Sequence, residues 1–181
     1  MRETIHPTAI VEDGATLELG VFVWHHAHVR TGATVGANTS LGKDVFVDEG
    51  VRIGRNCKVQ NGAQLYKGCR VGDGVFIGPH VILTNDKYPR AVGPEGDERT
   101  SDEWIQGLIQ IGDGVSLGAG SVVISGVHIG DWAAMGAGAV VTRNVEPHSL
   151  VVGVPGRVVG HVCYCGRAAH AIPCEECGWS A

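Results

Sequence analysis

Residues 29–53 read VRTGATVGANTSLGKDVFVDEGVRI and carry an aliphatic side chain at every sixth position. The same apolar spacing runs without a break from Ile5 to Leu83 and resumes from Ile111 to Val141. The position two residues before each of these is also restricted, mostly to small or β-branched residues. A period of six is neither the 2 of a simple strand nor the 3.6 of an amphipathic helix. It predicts short strands joined by tight turns, which is the pattern of a parallel β-helix.

The composition agrees with strands and excludes several classes of protein. The 181 residues include 28 Gly, and 37 Val plus Ile against 8 Leu, which argues against a helix bundle because β-branched side chains fit pleated strands. A net charge of −5 does not suit a non-specific nucleic-acid binder. No apolar run is long enough to span a membrane, and the N-terminus lacks the apolar segment of a secretory signal. We therefore expect a cytoplasmic protein with neither a nucleic-acid nor a membrane partner.

Residues 5–146 resemble the left-handed β-helix of the hexapeptide acyltransferases. In that family three hexads close one triangular coil, so the twenty hexads of this chain imply between six and seven coils. The resemblance also implies a homotrimer with acyl-CoA bound in the groove between adjacent prisms. We expect an all-β protein whose left-handed parallel β-helix spans residues 1–146, followed by a connecting segment over 147–162 and a cysteine-rich tail over 163–181.

The repeat is interrupted once, by residues 84–108, which read TNDKYPRAVGPEGDERTSDEWIQGL. The step of 28 positions from Leu83 to Ile111 is not a multiple of six, so this segment is an insertion. A loop this long inside a regular solenoid is usually functional or disordered. Its charges, with Tyr88, Trp104 and Ile105, favour a loop that docks on a ligand or a partner over a plain surface excursion.

Four stretches carry a closer resemblance: VFVWHHAHV, KVQNGAQLY, GPHVILTNDKYPRA and VVGVPGRVVG. They are similar to the N-acetyltransferases that act on nucleotide-linked 3-amino sugars, with dTDP or UDP as the nucleotide and acetyl-CoA as the donor. In those enzymes the Asn of the Thr-Asn pair hydrogen-bonds the sugar amine, and Asn85 stands at that position. Relatives that acetylate sugar hydroxyls place a catalytic histidine in this loop, and residues 84–108 contain none.

The chemistry of amine acetylation is compatible with that absence. Transfer to an alcohol needs a base that removes a proton of high pKa, whereas a deprotonated amine is already nucleophilic. The Asn85 amide can orient the amine but cannot act as a base. The proton acceptor is then the departing CoA thiolate, as the resemblance suggests, or His80, and the sequence leaves both open. Asn85 could also serve only as an Asx turn that opens the loop.

Coils of about 18 residues would stack polar side chains in outward columns, one through Arg30, Asp48 and Tyr66 and another through His25 and Asn61. These columns predict a wall for the sugar nucleotide, although charge ladders on β-faces are often only solvated surface or subunit contacts. The expected substrate-binding residues are Trp24, His25, Arg30, Asn61, Tyr66 and Arg90.

Backbone with little side chain suits the approach of a pantetheine arm. Gly118, Ala119, Gly136 and Ala137 offer such backbone, and Arg143 and Arg157 could meet the CoA phosphates. Val152–Arg157 matches the segment after the β-helix where CoA commonly binds in the family. The glycines could equally serve only the repeat.

The tail spells C-x-C-x8-C-x2-C through Cys163, Cys165, Cys174 and Cys177. Four cysteines at both ends of a short loop predict a tetrahedral structural zinc site with no open position for catalysis. A reducing compartment disfavours disulfides. The C-x-C spacing leaves room for His161 or His170 as a replacement ligand, and a redox pair or a metal-free tail remain alternatives.

Two other functions compete with sugar N-acetylation. A γ-carbonic-anhydrase-like metalloenzyme shares the β-helix but needs histidine ligands at the subunit interface, and its H-x4-H pair does not occur here. A non-catalytic trimeric scaffold would need no CoA groove. Uridine and thymidine, the sugar configuration and the acyl chain length stay undetermined.

Overall fold

The computed structural model describes residues 5–100, 105–168 and 173–180. Within these ranges every regular element is a strand, and the strands form three sheets that are the faces of a triangular prism. The first face contains β1 (Ile10–Val11), β4 (His28–Val29), β7 (Phe46–Val47), β10 (Gln64–Leu65), β13 (Ile82–Leu83), β16 (Val122–Val123) and β19 (Val140–Val141). The second contains β2 (Thr16–Leu17), β5 (Thr34–Val35), β8 (Arg52–Ile53), β11 (Cys69–Val71), β14 (Ile109–Ile111) and β17 (His128–Ile129). The third contains β3 (Phe22–Val23), β6 (Ser40–Leu41), β9 (Lys58–Val59), β12 (Phe76–Ile77), β15 (Ser116–Leu117), β18 (Ala134–Met135), β20 (Ser149–Val152) and β21 (Arg157–His161).

The pairing register confirms a parallel β-helix with coils of three hexads. Each of the strands β1 to β16 pairs in parallel with the third strand after it, so that Val29 lies opposite Val47 and Val47 opposite Leu65, 18 residues apart. The insertion leaves this register intact, because Leu83 pairs with Val123 and Val71 with Ile111. The loop therefore leaves and re-enters the helix at a corner without shifting a strand.

The hexad position predicted to point inward forms the core. Val29, Leu41, Leu65 and Leu117 are completely buried, and each such side chain stabilises the fold by roughly 1.5–3 kcal/mol relative to exposure. The smaller slot two residues earlier holds buried residues such as Cys57. Because the coil is narrow, one large and one small side chain per strand fill it.

Three corners join the faces, and we name them by what they carry. The Trp24 corner, between the third and first faces, comprises residues 24–26, 42–44, 60–62, 78–80, 118–120 and 136–138. The loop corner, between the first and second faces, comprises 12–14, 30–32, 48–50, 66–68, 84–108, 124–126 and 142–144. The glycine corner, between the second and third faces, comprises 18–20, 36–38, 54–56, 72–74, 112–114, 130–132 and 146–148.

Glycine serves these corners for two different reasons. The tight turn requires a backbone in the left-handed region, and Gly74 adopts it with a φ of +66°. His26 adopts the same region with a φ of +56°. Gly54 does not, yet a Cβ there would lie 2.4 Å from the carbonyl oxygen of Gly72 in the next coil. The second kind of glycine is required by the close stacking of coils.

The helix is longer than the six to seven coils expected, because the core continues after Val141 through Val145 and Val151, which are 5% and 3% exposed. These residues bring it to seven coils and the start of an eighth. The segment 147–162 is more than a connection: β20 pairs in parallel with β18, and β21 folds back antiparallel on β20. No helix in the ranges described is long and apolar enough to cross a membrane.

Candidate functional site

The insertion forms a hairpin over a cavity of about 500 Å³ at the loop corner. Within the hairpin Val92 bridges Glu98, and the Arg99 N–H donates to the Ala91 carbonyl at 3.2 Å. The residues lining the cavity come from the loop and from the next coil, and they are Asp86, Lys87, Tyr88, Arg90, Arg99, Thr100, Ile105, Gly107, Ser125 and Gly126. Trp104, expected to help the loop dock, lies outside the described residues.

Asn85 lies next to this cavity, because its main chain is hydrogen-bonded to two of the residues that line it. Its carbonyl oxygen accepts the Gly107 N–H and the Ser125 hydroxyl, each at 3.1 Å. The neighbouring Thr84 hydroxyl donates to the Val123 carbonyl and accepts the Ser125 N–H at 2.9 Å. Gly107 must be glycine, since a Cβ would lie 1.7 Å from the Ser125 Oγ. The Thr-Asn pair is thus fixed on both sides, and sequence reasoning did not find Ser125 because it lies forty residues further along the chain.

Arg30 and Tyr66, two of the expected substrate residues, stack below Asn85 on the same corner and already have partners. The Arg30 guanidinium donates to Asp48 at 2.7 Å and lies 3.6 Å from Glu12. The hydrogen bond to Asp48 raises the pKa of Arg30. The Tyr66 ring packs against Phe46 with centroids 5.8 Å apart. Arg90 is the expected residue that lines the loop cavity itself.

Trp24, His25 and Asn61 lie instead at the Trp24 corner, where they line a separate groove of about 330 Å³. Trp24 is 52% exposed, and the His25 ring stacks on that of His6 with centroids 3.5 Å apart. The Asn61 Oδ1 accepts the Lys43 N–H at 2.9 Å. Within one chain the six expected substrate residues therefore divide between two corners separated by the first face.

The expected donor residues divide in the same way. Gly118, Ala119, Gly136 and Ala137 lie at the Trp24 corner. Coil stacking accounts for the first of these, since a Cβ on Gly118 would lie 2.5 Å from the Ala137 nitrogen. Arg143 and Arg157 line the same small pocket of about 190 Å³. Arg143 belongs to the loop corner, and Arg157 belongs to β21. His80, the alternative base, is exposed at the Trp24 corner, away from Asn85.

The four tail cysteines come together as predicted. The Sγ atoms of Cys163, Cys165, Cys174 and Cys177 all lie within 4.8 Å of one another. Four thiolates around zinc, at bonds of about 2.3 Å, stand about 3.8 Å apart, so the group fits a tetrahedral ion. The N–H of Trp179, followed by smaller contributions from the other cysteines and partly opposed by burial, lowers the pKa of Cys177 to about 6. His161 ends β21 and is not part of this group, and His170 lies outside the described residues.

An aromatic cluster that the sequence did not predict attaches the tail to the β-helix. His148, at the glycine corner, packs against Trp179 and Tyr164 with ring centroids 4.7 and 5.0 Å apart. Tyr164 also meets Trp132 edge to face at 4.8 Å. The His148 Nδ1 donates a hydrogen bond to the Val162 carbonyl at 2.9 Å.

The fold and its corners define a class of protein, the parallel β-helices built from hexapeptide repeats. The family model described as bacterial transferase hexapeptide (six repeats) matches residues 50–85 and 109–143, and that of the hexapeptide repeat of succinyl-transferase matches residues 32–67. Both matches exclude the inserted loop. The chain thus carries the repeats of the hexapeptide-repeat transferase family, as the period of six predicted.

Similar proteins include an acyl-[acyl-carrier-protein]–UDP-N-acetylglucosamine O-acyltransferase of Brucella anthropi, 48% identical over 48 residues that make up 26% of this chain and 17% of that enzyme. This chain therefore spans only about a sixth of that relative. A maltose O-acetyltransferase from Clostridium difficile has a TM-score of 0.62 at 26% identity, covering 73% of this chain and 70% of that one. A mutant of AntD, an N-acyltransferase from Bacillus cereus solved with dTDP and coenzyme A, has a TM-score of 0.61 at 18% identity, covering 84% and 83%, and shares the fold.

Proposed function

We propose that this protein is an N-acetyltransferase that moves an acetyl group from acetyl-CoA to the amino group of a dTDP- or UDP-linked 3-amino sugar. The observation that carries the proposal is the fixed Asn85 beside the loop cavity. Both neighbours of its carbonyl, Gly107 and Ser125, line that cavity. In this proposal the Asn85 side chain reaches the amine of an acceptor that is bound in the cavity.

The reaction needs orientation more than acid–base chemistry. The free amine of the sugar attacks the thioester carbonyl, so that a C–N bond forms and the C–S bond to CoA breaks. The Asn85 side-chain oxygen accepts a hydrogen bond from the sugar amine. This bond directs the lone pair of the amine at the thioester carbonyl, and such positioning can raise the rate about 100-fold or more. The amine loses one proton, which the departing thiolate takes as it becomes CoA thiol.

The two-corner arrangement suits a homotrimer, in which the loop corner of one chain lies beside the Trp24 corner of the next. Such a groove would bring Arg30, Tyr66 and Arg90 opposite Trp24, His25 and Asn61. Acetyl-CoA would then follow Gly118, Ala119, Gly136 and Ala137, with its phosphates near Arg143 and Arg157.

The tail would hold one structural zinc on its four cysteines and take no part in the reaction.

The test is thiol release from acetyl-CoA with a panel of dTDP- and UDP-amino sugars. We expect turnover with a 3-amino sugar and a loss of about 100-fold in kcat/KM for Asn85→Ala, with CoA binding retained. Gln110→Ala is the matched control, since it removes another amide side chain from the exposed second face and should leave turnover unchanged. Undiminished turnover in Asn85→Ala would contradict the role given to this residue.

Acetylation of a sugar hydroxyl is the second candidate, favoured by the 26% identity to the maltose O-acetyltransferase and by the exposed His80. An alcohol acceptor would need a base, and His80, which is exposed at the Trp24 corner, is the candidate that we test. In that case His80→Ala would abolish turnover with sugars that lack an amine. If Asn85→Ala is inactive while His80→Ala is unimpaired on an amino sugar, the thiolate is the proton acceptor.

A further inference from the structure

We propose that the loop cavity is the subsite for the diphosphate of the nucleotide, with Arg90 and Lys87 as its principal charges. This placement rests on the proposed function and deepens it by naming which part of the substrate the loop binds. This subsite is distinct from the polar column below Asn85, where the charge of Arg30 is already paired with Asp48.

Folding of the loop separates its charges. Residues 84–108 contain six acids and three bases, so the sequence of the loop is acidic. All three bases, Lys87, Arg90 and Arg99, nevertheless line the cavity, and of the described acids in the loop only Asp86 joins them. The hairpin causes this, since pairing of Val92 with Glu98 brings Arg90 and Arg99 to the same end while Asp97 stays near the tip.

Arg90 is available to a ligand. Its guanidinium donates to the neutral carbonyl of Pro89 at 3.1 Å, and no carboxylate in the described part of the chain pairs with it. The Lys87 Nζ lies over the Tyr88 ring, 5.8 Å from its centroid, and within the described ranges no carboxylate forms an ion pair with it. In a chain of net charge −5, a concave site that holds both the Arg90 guanidinium and the Lys87 ammonium matches a multiply charged anion.

The loop also supplies apolar surface at the mouth of the cavity. Tyr88 is 75% exposed and Ile105 is 87% exposed, although large apolar side chains are usually covered. An aromatic ring next to paired charges suits a nucleoside diphosphate, because the base can stack on the ring while the phosphates reach the guanidinium. The cavity volume of about 500 Å³ lies in the usual range for small-molecule sites.

The position of the cavity agrees with the attack geometry proposed above. Its floor residues, Gly107 and Ser125, hydrogen-bond the Asn85 carbonyl. A diphosphate on Arg90 would therefore leave the attached sugar within reach of the Asn85 side chain. Nucleotide recognition and amine positioning would then belong to one loop.

Calorimetric titration of the full-length protein with UDP and with dTDP tests this directly, because it needs no acetyl transfer. We expect at least one of them to bind, the corresponding nucleoside to bind far more weakly, and Arg90→Gln to lower the affinity about tenfold or more. Arg90→Lys should recover part of the loss, since it restores charge without the planar fork. Arg52→Gln is the matched control: it removes an exposed arginine of the second face and should leave the affinity unchanged.

The outcomes separate this inference from the proposed function. If acetyl transfer is absent but a diphosphate binds in an Arg90-dependent way, the subsite stands and the reaction does not. If acetyl transfer occurs while Arg90→Gln binds UDP and dTDP as wild type does, the subsite is overturned. It is also overturned if the substitution weakens only a sugar nucleotide that carries a carboxylate, because the cavity would then bind the sugar acid instead.

Discussion

At the scale of the residue, Asp48 is the buried charge on which the loop corner depends. It is 8% exposed and accepts three hydrogen bonds, from the Arg30 guanidinium at 2.7 Å and from the N–H groups of Glu49 and Lys67 at 2.8 and 3.1 Å. Burial disfavours its ionisation, but the two amides and the guanidinium outweigh burial and hold the pKa of Asp48 below its ordinary value. The charge of Asp48 is therefore compensated by its neighbours in the column below Asn85.

Asp48→Asn should lower the free energy of unfolding by about 1–3 kcal/mol at pH 7, because an amide nitrogen would face a backbone donor and Arg30 would lose its ion pair. The depressed pKa makes the wild-type carboxylate stabilising above the unfolded pKa of about 3.9, and this advantage disappears as the pH falls through the lower folded value. Urea unfolding at pH 7 and at pH 3 measures both effects.

Asp44→Asn is the control for that comparison, since its carboxylate pairs with Lys43 on an exposed corner and its side chain is 52% exposed. Surface ion pairs contribute about 0–1 kcal/mol, so this variant should unfold much like wild type. An equal loss in both variants would show that burial and the hydrogen bonds of Asp48 carry no special weight.

At the scale of the element, the inserted loop and the cysteine tail differ in how far the sequence predicts their structure. The four cysteines were predicted as a group because their spacing is local and thiolate chemistry is specific. The hairpin of the loop was not, because its sequence has no alternating pattern and its pairing joins Val92 to Glu98 across a turn. The aromatic contacts of His148 with the tail were also beyond the sequence, since they join segments that only the coil stacking brings together.

The tail should bind close to one zinc per chain, and Cys174→Ser should abolish that stoichiometry, because a site of three thiolates is incomplete. Loss of the metal should release Trp179, which is 7% exposed, and shift its fluorescence to longer wavelength. Metal analysis and emission spectra before and after chelation measure both. Trp179→Phe identifies the source of the signal.

Cys57→Ala provides the matched cysteine control. Cys57 fills the small inward slot of a coil, where Ala33 and Ala63 stand in others, so alanine fits there and the zinc content should stay near one. A protein as rich in zinc after Cys174→Ser as before would contradict the four-cysteine site.

At the scale of the whole molecule, the first and second faces of the prism differ in the polarity of their outward side chains. The outward side chains of the first face are largely apolar, namely Ile10, Phe46, Ile82, Val122 and Val140, together with His28 and Gln64. Those of the second face are polar or charged, namely Thr16, Thr34, Arg52, Arg70, Gln110 and His128. The first face also joins the two corners that carry the proposed site, so it is the face that we expect to meet a second copy in the proposed homotrimer.

Phe46→Arg should convert the trimer to monomers, because an arginine without a partner is costly to bury between subunits. Thr34→Arg inserts the same residue at the equivalent strand position of the second face and should leave the assembly intact. Light scattering after size-exclusion chromatography measures the mass against the 19.0 kDa chain. A monomeric wild type would show that the chain does not form the proposed trimer. A trimer that tolerates Phe46→Arg would show that the subunits meet through another surface.

The sequence by itself determined the repeat, the coil of three hexads, the place of the insertion and the cysteine group, because each depends on residues at fixed spacing in the chain. Only the tertiary structure decided which corner each side chain occupies and how far the last coils extend. It also showed that Ser125 hydrogen-bonds the Asn85 carbonyl and that, among the described charged residues of the acidic loop, three bases and one acid line the cavity. Those outcomes follow from contacts between segments tens of residues apart, and a local pattern carries no information about such contacts until the coils have stacked.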